Sequence, residues 1–311
     1  MTSHCPLCGS RRNETMRRVS TADLAKLYSG VGIDVSADLG DAPFLSLDRC
    51  VDCDCQYFFP MQPGSPGFYE QLLQQPWYYP SEKSEFAFAK GFIRSSDSVL
   101  EIGCGRGAFA ELIDCEEYTG LEYTEASVHS ARQRGLQVHQ ESIEAYAARA
   151  GKQHEVVCFF QVLEHVVDPG SFLRSSIECL KPGGLLILSV PNADSFLKYC
   201  VNNMLNMPPH HVTWWSEKAL SGIAETFGLS IVASQKETLA DEHLISYLQT
   251  LALLGLSQSY AKAPPLADFS FAYRLKIRAA MWLAKLVAPV LADRTLRPIG
   301  HSITFVYRKT Q

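Results

Sequence analysis

Val99-Leu100-Glu101-Ile102-Gly103-Cys104-Gly105-Arg106-Gly107 is the stretch that decides the fold. Val99, Leu100 and Ile102 form an apolar run that suits a buried strand, and Glu101 is a single acid near its end. Three glycines then alternate before a segment, Ala108–Ile113, that reads as the start of a helix. Glycine serves where a chain turns with positive φ and where a ligand approaches bare backbone. Strand, glycine loop and helix together are the nucleotide-binding corner of a doubly wound sheet. The acid two residues before the first glycine narrows the ligand: it would repel a pyrophosphate and attract a cationic amino group.

The downstream sequence continues the pattern. Tyr118-Thr119-Gly120-Leu121-Glu122 reads as a second strand ending in an acid, the place where such sheets hold the ribose hydroxyls. His139–Glu144 is a loop of the kind that flanks an adenine ring, and Glu155–Phe160 is a buried strand followed by Gln161-Val162-Leu163-Glu164-His165. Lys181-Pro182-Gly183-Gly184 ends a helix before the apolar strand Leu185–Val190.

The chain here resembles the class I S-adenosylmethionine-dependent methyltransferases. The residues that carry the resemblance are E-I-G-C-G-R-G, G-L-E, F-Q-V-L-E-H, K-P-G-G and S-V-P-N, in the family's order over roughly residues 85–236. The resemblance implies an α/β fold with a seven-stranded Rossmann-like sheet and S-adenosyl-L-methionine as methyl donor. It implies cofactor contacts at Glu101, Gly103, Cys104, Gly105, Gly107, Glu122, Ser142, Ile143 and Gln161. Family members often cover the methionine end with a segment before the first strand, which adds Tyr79, with Tyr78 beside it. The alternative for that aromatic run is packing between domains.

Ten cysteines are unevenly placed. Cys104, Cys115, Cys158, Cys179 and Cys200 are scattered and read as small apolar residues. Cys5-Pro-Leu-Cys8 and Cys50-Val-Asp-Cys53 are paired knuckles, and Cys55 is a spare. In a chain expected to be cytosolic such pairs suggest a structural tetrahedral Zn2+ held by Cys5, Cys8, Cys50 and Cys53, rather than disulfides. The N-terminus has no apolar signal segment, and no run approaches the roughly 20 apolar residues that span a bilayer, so a cytoplasmic location is expected.

The 311 residues divide into a zinc-ribbon module (1–62, with a short helix near Thr21–Tyr28), linker or lid helices (63–95), the cofactor domain (96–236 with 298–311) and a helical insert (237–297) that caps the substrate. Leu229–Gln235 reads as the sixth strand and His301–Tyr307 as a seventh, antiparallel one. Within the insert, Ala272–Ala292 is helical in pattern, and Arg274, Arg278 and Lys285 form a basic stripe beside many apolar residues. A cap helix packed on the cofactor domain with its charged strip outward fits this pattern. So does a helix that touches a membrane or a lipid-linked or phosphate-bearing substrate.

Methyl transfer to a hydroxyl or a carbon acid needs a general base with a pKa near neutrality, and histidine suits. His165 follows the fourth strand, and His210 and His211 lie in the loop after the fifth, all at the carboxyl edge where ligands bind. Some zinc-bearing sugar methyltransferases that the chain resembles have a proposed histidine base in that loop, so His211 or His210 precedes His165 as the choice. The expected acceptor is a small molecule, such as a hydroxylated metabolite or a nucleotide- or lipid-linked sugar; oligomeric state is not set by these features. A zinc-module RNA methyltransferase is the alternative. Against nucleic acid stand the net charge of −5, a cysteine module with 6 basic and 8 acidic residues, and F-Q-V-L where an amino-methylating enzyme would carry N-P-P-Y. A second alternative is a non-catalytic scaffold that recruits a partner.

Overall fold

The computed structural model describes residues 4–75, 78, 84–151, 153–262, 264–291 and 293–310. The chain opens with β1 (Asn13–Ser20), α1 (Thr21–Ser29), β2 (Phe44–Cys50) and β3 (Gln56–Phe59), the strands pairing antiparallel. Ser20 starts α1 because its hydroxyl accepts from the Asp23 N–H, satisfying one of the donors a helix start leaves open. α2 (Pro66–Leu73) and α3 (Ser84–Lys90) then lead into the large sheet.

That sheet is built from β4 (Ser98–Ile102), β5 (Glu117–Leu121), β6 (Val138–His139), β7 (His154–Phe160) and β8 (Leu180–Pro191), with α4 (Glu125–Gln133), α5 (Ile143–Ala150) and α6 (Pro169–Glu178) as crossovers. After β8 come β9 (Thr213–Trp214), α7 (Glu217–Phe227) and β10 (Leu229–Thr238). The insert supplies α8 (Leu244–Leu256), α9 (Gln258–Lys262) and α10 (Phe271–Val287), and β11 (Ile299–Lys309) closes the fold. The strand order is β10-β11-β8-β7-β4-β5-β6, with β11 antiparallel between β10 and β8 and the neighbours of β4 and β7 parallel. This is the seven-stranded Rossmann-like sheet expected. β4 and β7 are hydrogen-bonded neighbours from which the chain winds outward in both directions, so a crevice opens between their carboxyl ends. Val99, Leu100, Val157 and Phe159 are fully buried, which is why these strands read as continuous apolar runs.

Ser216 caps α7 by accepting from the Ala219 N–H, and Gly228 ends it with φ +64°. Two expectations are corrected. Ala108–Ile113 contains only a single 3₁₀ turn at Ala110–Leu112, because β5 begins at Glu117 and leaves no length for a helix. The segment read as the loop carrying His210 and His211 contains a strand: β9 pairs with β3 at Gln56↔Trp214 and Tyr57↔Thr213. The small sheet therefore has the order β1-β2-β3-β9, and the cysteine-bearing region shares a sheet with the loop that carries His210 and His211.

Candidate active site

The loop after β4 is shaped by glycines with positive φ. A Cβ on Gly103 (φ +71°) would lie 2.5 Å from Val162 Cγ2, whereas one on Gly105 (φ +54°) would meet nothing within 4 Å. Gly103 thus allows the close approach of β4 to the turn after β7, and Gly105 presents bare backbone to open space. Glu101 is buried, and its Oε2 accepts from the Tyr118 hydroxyl at 2.5 Å. Glu122 closes the loop. Its Oε2 accepts from Gly105 N–H at 2.9 Å, and its Oε1 accepts from Tyr123 and Thr124 N–H at 2.9 and 2.8 Å. A carboxylate offers about four lone-pair sites, so one remains on the Oε2 edge for a hydroxyl. The Cys104 side chain packs inward against Gly120.

Glu101, Gly103, Cys104, Gly105, Glu122, Ile143 and Gln161 line one cleft of about 2830 Å³. Gln161 has φ +58°, and its amide donates to Glu85 Oε1 at 3.3 Å and to Ser302 Oγ at 3.3 Å. Two sequence choices are placed elsewhere. Gly107 lies behind the loop, where an added Cβ would meet Leu136 Cδ1 at 2.1 Å. Ser142 is the N-cap of α5, its hydroxyl accepting from the Ala145 N–H, and it does not line the cleft. Tyr79 lies outside the described residues. Tyr78 is described, and its hydroxyl reaches His210 Nε2 at 3.0 Å.

His165, His210 and His211 converge on the same cleft. His210 and His211 stack with centroids 4.5 Å apart, and His165 stands edge-on to both at 4.6 and 4.9 Å. Each ring has its tautomer set by an oxygen. His165 Nδ1–H donates to His210 O at 2.6 Å, His210 Nδ1–H to Leu205 O at 2.8 Å, and His211 Nδ1–H to Asn206 Oδ1 at 3.1 Å. Nε2 is then the lone-pair nitrogen of each neutral ring. On His210 that lone pair accepts from Tyr78, so this ring is engaged at both nitrogens. The Nε2 atoms of His165 and His211 each lie 3.9 Å from Glu164 Oε1.

Burial holds these rings neutral. It pulls His165 down to about 4, and burial plus the neighbouring imidazoles takes His210 and His211 well below the usual 6.5, a departure from the near-neutral base expected of the sequence. Ring nitrogens of the three lie within 4.8 Å of one another, a spacing a small divalent cation could bridge. Using His210 in that way would require the Tyr78 hydroxyl to move off its nitrogen.

Several contributors are not visible as a sequence pattern. Glu164 sits within F-Q-V-L-E-H, but its buried carboxylate gains meaning only when His211 arrives from a distant loop. Glu85 of α3 reaches Gln161 from outside the glycine motif. His301 and Glu237, from β11 and β10, form another imidazole–carboxylate pair on the cleft wall at 2.7 Å.

The loop bearing His210 and His211 is pinned from two sides. Val212 N–H donates to Glu164 O at 2.9 Å, and Thr213 Oγ1 donates to Leu163 O at 3.1 Å. From the N-terminal region, Phe58 N–H donates to Val212 O at 2.9 Å, and the Tyr28 hydroxyl donates to Met204 O at 2.8 Å.

Cys5, Cys8, Cys50 and Cys53 form a tight group, with sulfurs within 4.8 Å of one another. Cys5 and Cys53 Sγ are 3.4 Å apart, and Cys8 and Cys50 Sγ are 3.6 Å apart. These separations are far longer than a disulfide of about 2.05 Å. They approach the ~3.8 Å edge of a tetrahedron with metal–sulfur bonds of ~2.3 Å.

A family model described as a methyltransferase domain matches residues 73–234. The chain is 35% identical over 122 residues to the ubiquinone biosynthesis O-methyltransferase of Citrobacter koseri, covering 37% of this chain and 48% of that protein. It is 37% identical over 102 residues to the protein of that name from Escherichia fergusonii, covering 30% of this chain and 42% of the relative. The chain thus spans about half the length of the curated relatives it matches. Among solved structures, the complex between the Haloferax volcanii Trm112 methyltransferase activator and the putative methyltransferase superposes with a TM-score of 0.50 at 16% identity, covering 73% of this chain and 89% of that one. That last likeness concerns the fold.

Proposed function

The chain belongs to the methyltransferase-domain family of S-adenosylmethionine-dependent enzymes, and from that premise we propose that it methylates a hydroxyl of a small-molecule acceptor, with His211 as general base. The observation that carries this reading is the His211 ring. It is buried and neutral, its Nδ1–H is held by Asn206, which leaves Nε2 as its lone-pair nitrogen, and the residue lines the cleft that the glycine loop also lines.

The residues present suit the methyl donor. Gly105 offers open backbone, Glu101 a buried carboxylate for an amino group, and Glu122 an oxygen for the ribose. When bound, S-adenosylmethionine supplies an electrophilic methyl on a sulfonium whose positive charge is lost as the methyl leaves. The chain's own task is alignment and proton removal. An acceptor hydroxyl placed at His211 Nε2 loses its proton to that nitrogen as the oxygen attacks. The imidazolium formed then lies 3.9 Å from the Glu164 carboxylate, which favours it. His165, bonded to the His210 carbonyl, and His210, bonded to Tyr78, fix the shape of the loop around the base.

The acceptor class rests on two supports. The relatives are named for O-methylation in ubiquinone biosynthesis. The cleft, at about 2830 Å³, exceeds the roughly 300–1,000 Å³ of a single-ligand site and has room for a nucleoside beside a bulky second substrate. A lipid-linked hydroxyl acceptor, a phenol or a sugar, fits that room. The four-cysteine group fits a structural Zn2+ that would hold the region around β3, and so the His210–His211 loop, in place.

The test is methyl transfer from labelled S-adenosylmethionine to a panel of prenylated catechols, simple phenols and lipid- or nucleotide-linked sugars. Transfer to an oxygen of at least one class is expected. Binding of the methyl donor without transfer to any oxygen acceptor, together with transfer to RNA, would overturn the reading.

A further inference from the structure

We infer that α10 is a docking helix that lies on an anionic membrane surface. Its residues are arranged the reverse of an ordinary surface helix. The side packed on the protein carries Ala280, Ala284 and Tyr273, all buried. The large apolar residues face outward: Phe271 and Trp282 are each 73% exposed, Leu286 66% and Leu275 52%. At 100° per residue these four fall within about 60° of one another. Leu283 extends the face, and Val290 in the 3₁₀ turn that follows is also exposed. A stable soluble helix buries its apolar stripe and shows its polar one. This one does the opposite.

The charges beside that face point to the occupant. Arg274, Arg278 and Lys285 form an exposed strip along one edge of the apolar face, and residues 271–291 contain no acid. The whole chain carries a net charge of −5, so this positive strip is a local exception. An apolar face rich in Trp, Phe and Leu, edged by Lys and Arg, is the composition of helices that lie in the headgroup region. Anionic lipid attracts each nearby cation. A second copy of the chain would bring no acid on this helix to meet the strip, which argues against self-association through it. Among the described residues no helix is long and apolar enough to cross a membrane. The helix therefore lies on the bilayer.

The placement also gives the contact a use. Tyr273 and Ile277 of the same helix line the cleft that holds the histidines, so docking sets one wall of the cleft beside the lipid. The docking surface itself stands on α10 alone and does not depend on the identity of the acceptor.

The experiment is flotation of the full chain with vesicles of phosphatidylcholine mixed with phosphatidylglycerol, and with phosphatidylcholine alone, in roughly 0.1 M salt. The chain is expected to float with the anionic vesicles and only weakly with the neutral ones. Trp282→Asp with Leu286→Asp should lower the partition coefficient at least about tenfold. Arg278→Gln with Lys285→Gln should lower it about 25-fold on anionic vesicles and leave the neutral ones unchanged. All four positions are exposed, and an unchanged melting temperature checks each variant; Trp282→Ser serves if the double Asp variant unfolds. No flotation of the wild type, or equal flotation of the Asp variant, overturns the inference. So does a dimer in sedimentation that dissolves on Trp282→Asp without vesicle binding. Flotation reads no turnover, so its failure leaves the methyl-transfer reading untouched, and a missing methyl transfer leaves flotation untouched.

Discussion

Replacing His211 with Ala is expected to abolish turnover while leaving the methyl donor's affinity nearly unchanged. The structure separates the two effects. Among the described residues, the hydrogen bonds that shape the glycine loop come from Glu122 and the β4–β5 corner, not from His211. The ring's own bond is to Asn206, and its Nε2 is the nitrogen left to take a proton. Loss of a positioned general base costs about 10²–10⁴ in rate, which is about 2.7–5.4 kcal/mol of barrier at 1.36 kcal/mol per decade. Asn206→Leu should reproduce part of that loss, because the ring keeps its place but not its tautomer.

The assay is single-turnover methyl transfer at saturating donor, paired with calorimetric binding of S-adenosylhomocysteine. The pH profile adds a second readout. Burial holds the His211 pKa well below 6.5, so the base is already deprotonated at neutrality, and the rate should be flat from pH 7 to 8 before declining in acid. Turnover within threefold of wild type in His211→Ala, His165→Ala and their double variant would refute the reasoning, as would a rate loss fully explained by weaker donor binding. Proximity alone would then account for the chemistry.

The other expectations concern the scaffold. Gly105→Val should weaken donor binding at least tenfold, because it forces a β-branched residue to φ +54° and fills the bare backbone; calorimetry reads it. The purified chain should hold about one zinc by elemental analysis, and Cys50→Ala should lower both the melting temperature and turnover. Phe58→Ala removes a fully buried ring that meets Trp214 edge-on at 5.9 Å. It should cost about 3–5 kcal/mol in urea unfolding and lower turnover more than donor affinity. His154, His165 and His243 are each pulled down to about 4, mainly by burial. With folded pKa values below the unfolded 6.5, their contribution is complete above pH 6.5. It declines as pH falls toward 4, by up to about 1.4 kcal/mol per pH unit for each.

Much of the large sheet was legible because its strands are buried on both faces and read as apolar runs punctuated by Gly and Pro. The antiparallel last strand, separated from its neighbour by the insert, was legible for the same reason: Ile303, Phe305 and Tyr307 are buried. What failed to show were features set by tertiary contact. β9 is two residues long and has no period of its own; only its partner β3 makes it a strand. The cap role of Ser142 was equally hidden, because hydroxyls serve both ligands and helix starts. The stripe on α10 was visible as periodicity, but which side faced solvent depended on Ala280 and Ala284 fitting closely against the insert. The position of Glu164 between two histidines required folding across 47 residues, from Glu164 to His211.

These contacts join parts that look separate along the chain. The cysteine knuckle touches the cofactor domain directly: Gly170 N–H at the start of α6 donates to Pro6 O at 3.2 Å, and a Cβ on Gly170 would lie 2.9 Å from Leu7 O. Beyond it, Asp54 of the second knuckle accepts from the hydroxyl of Ser216, the residue that caps α7. β3 begins one residue after Cys55 and pairs with β9, two residues after His211. The four-cysteine group is thus joined to the His211 loop by a short path of hydrogen bonds, while Glu122 and the β4–β5 corner hold the glycine loop. On the reading proposed above, loss of the N-terminal group is expected to lower turnover more than donor affinity. That separation is what paired measurement of turnover and donor binding after zinc removal would read.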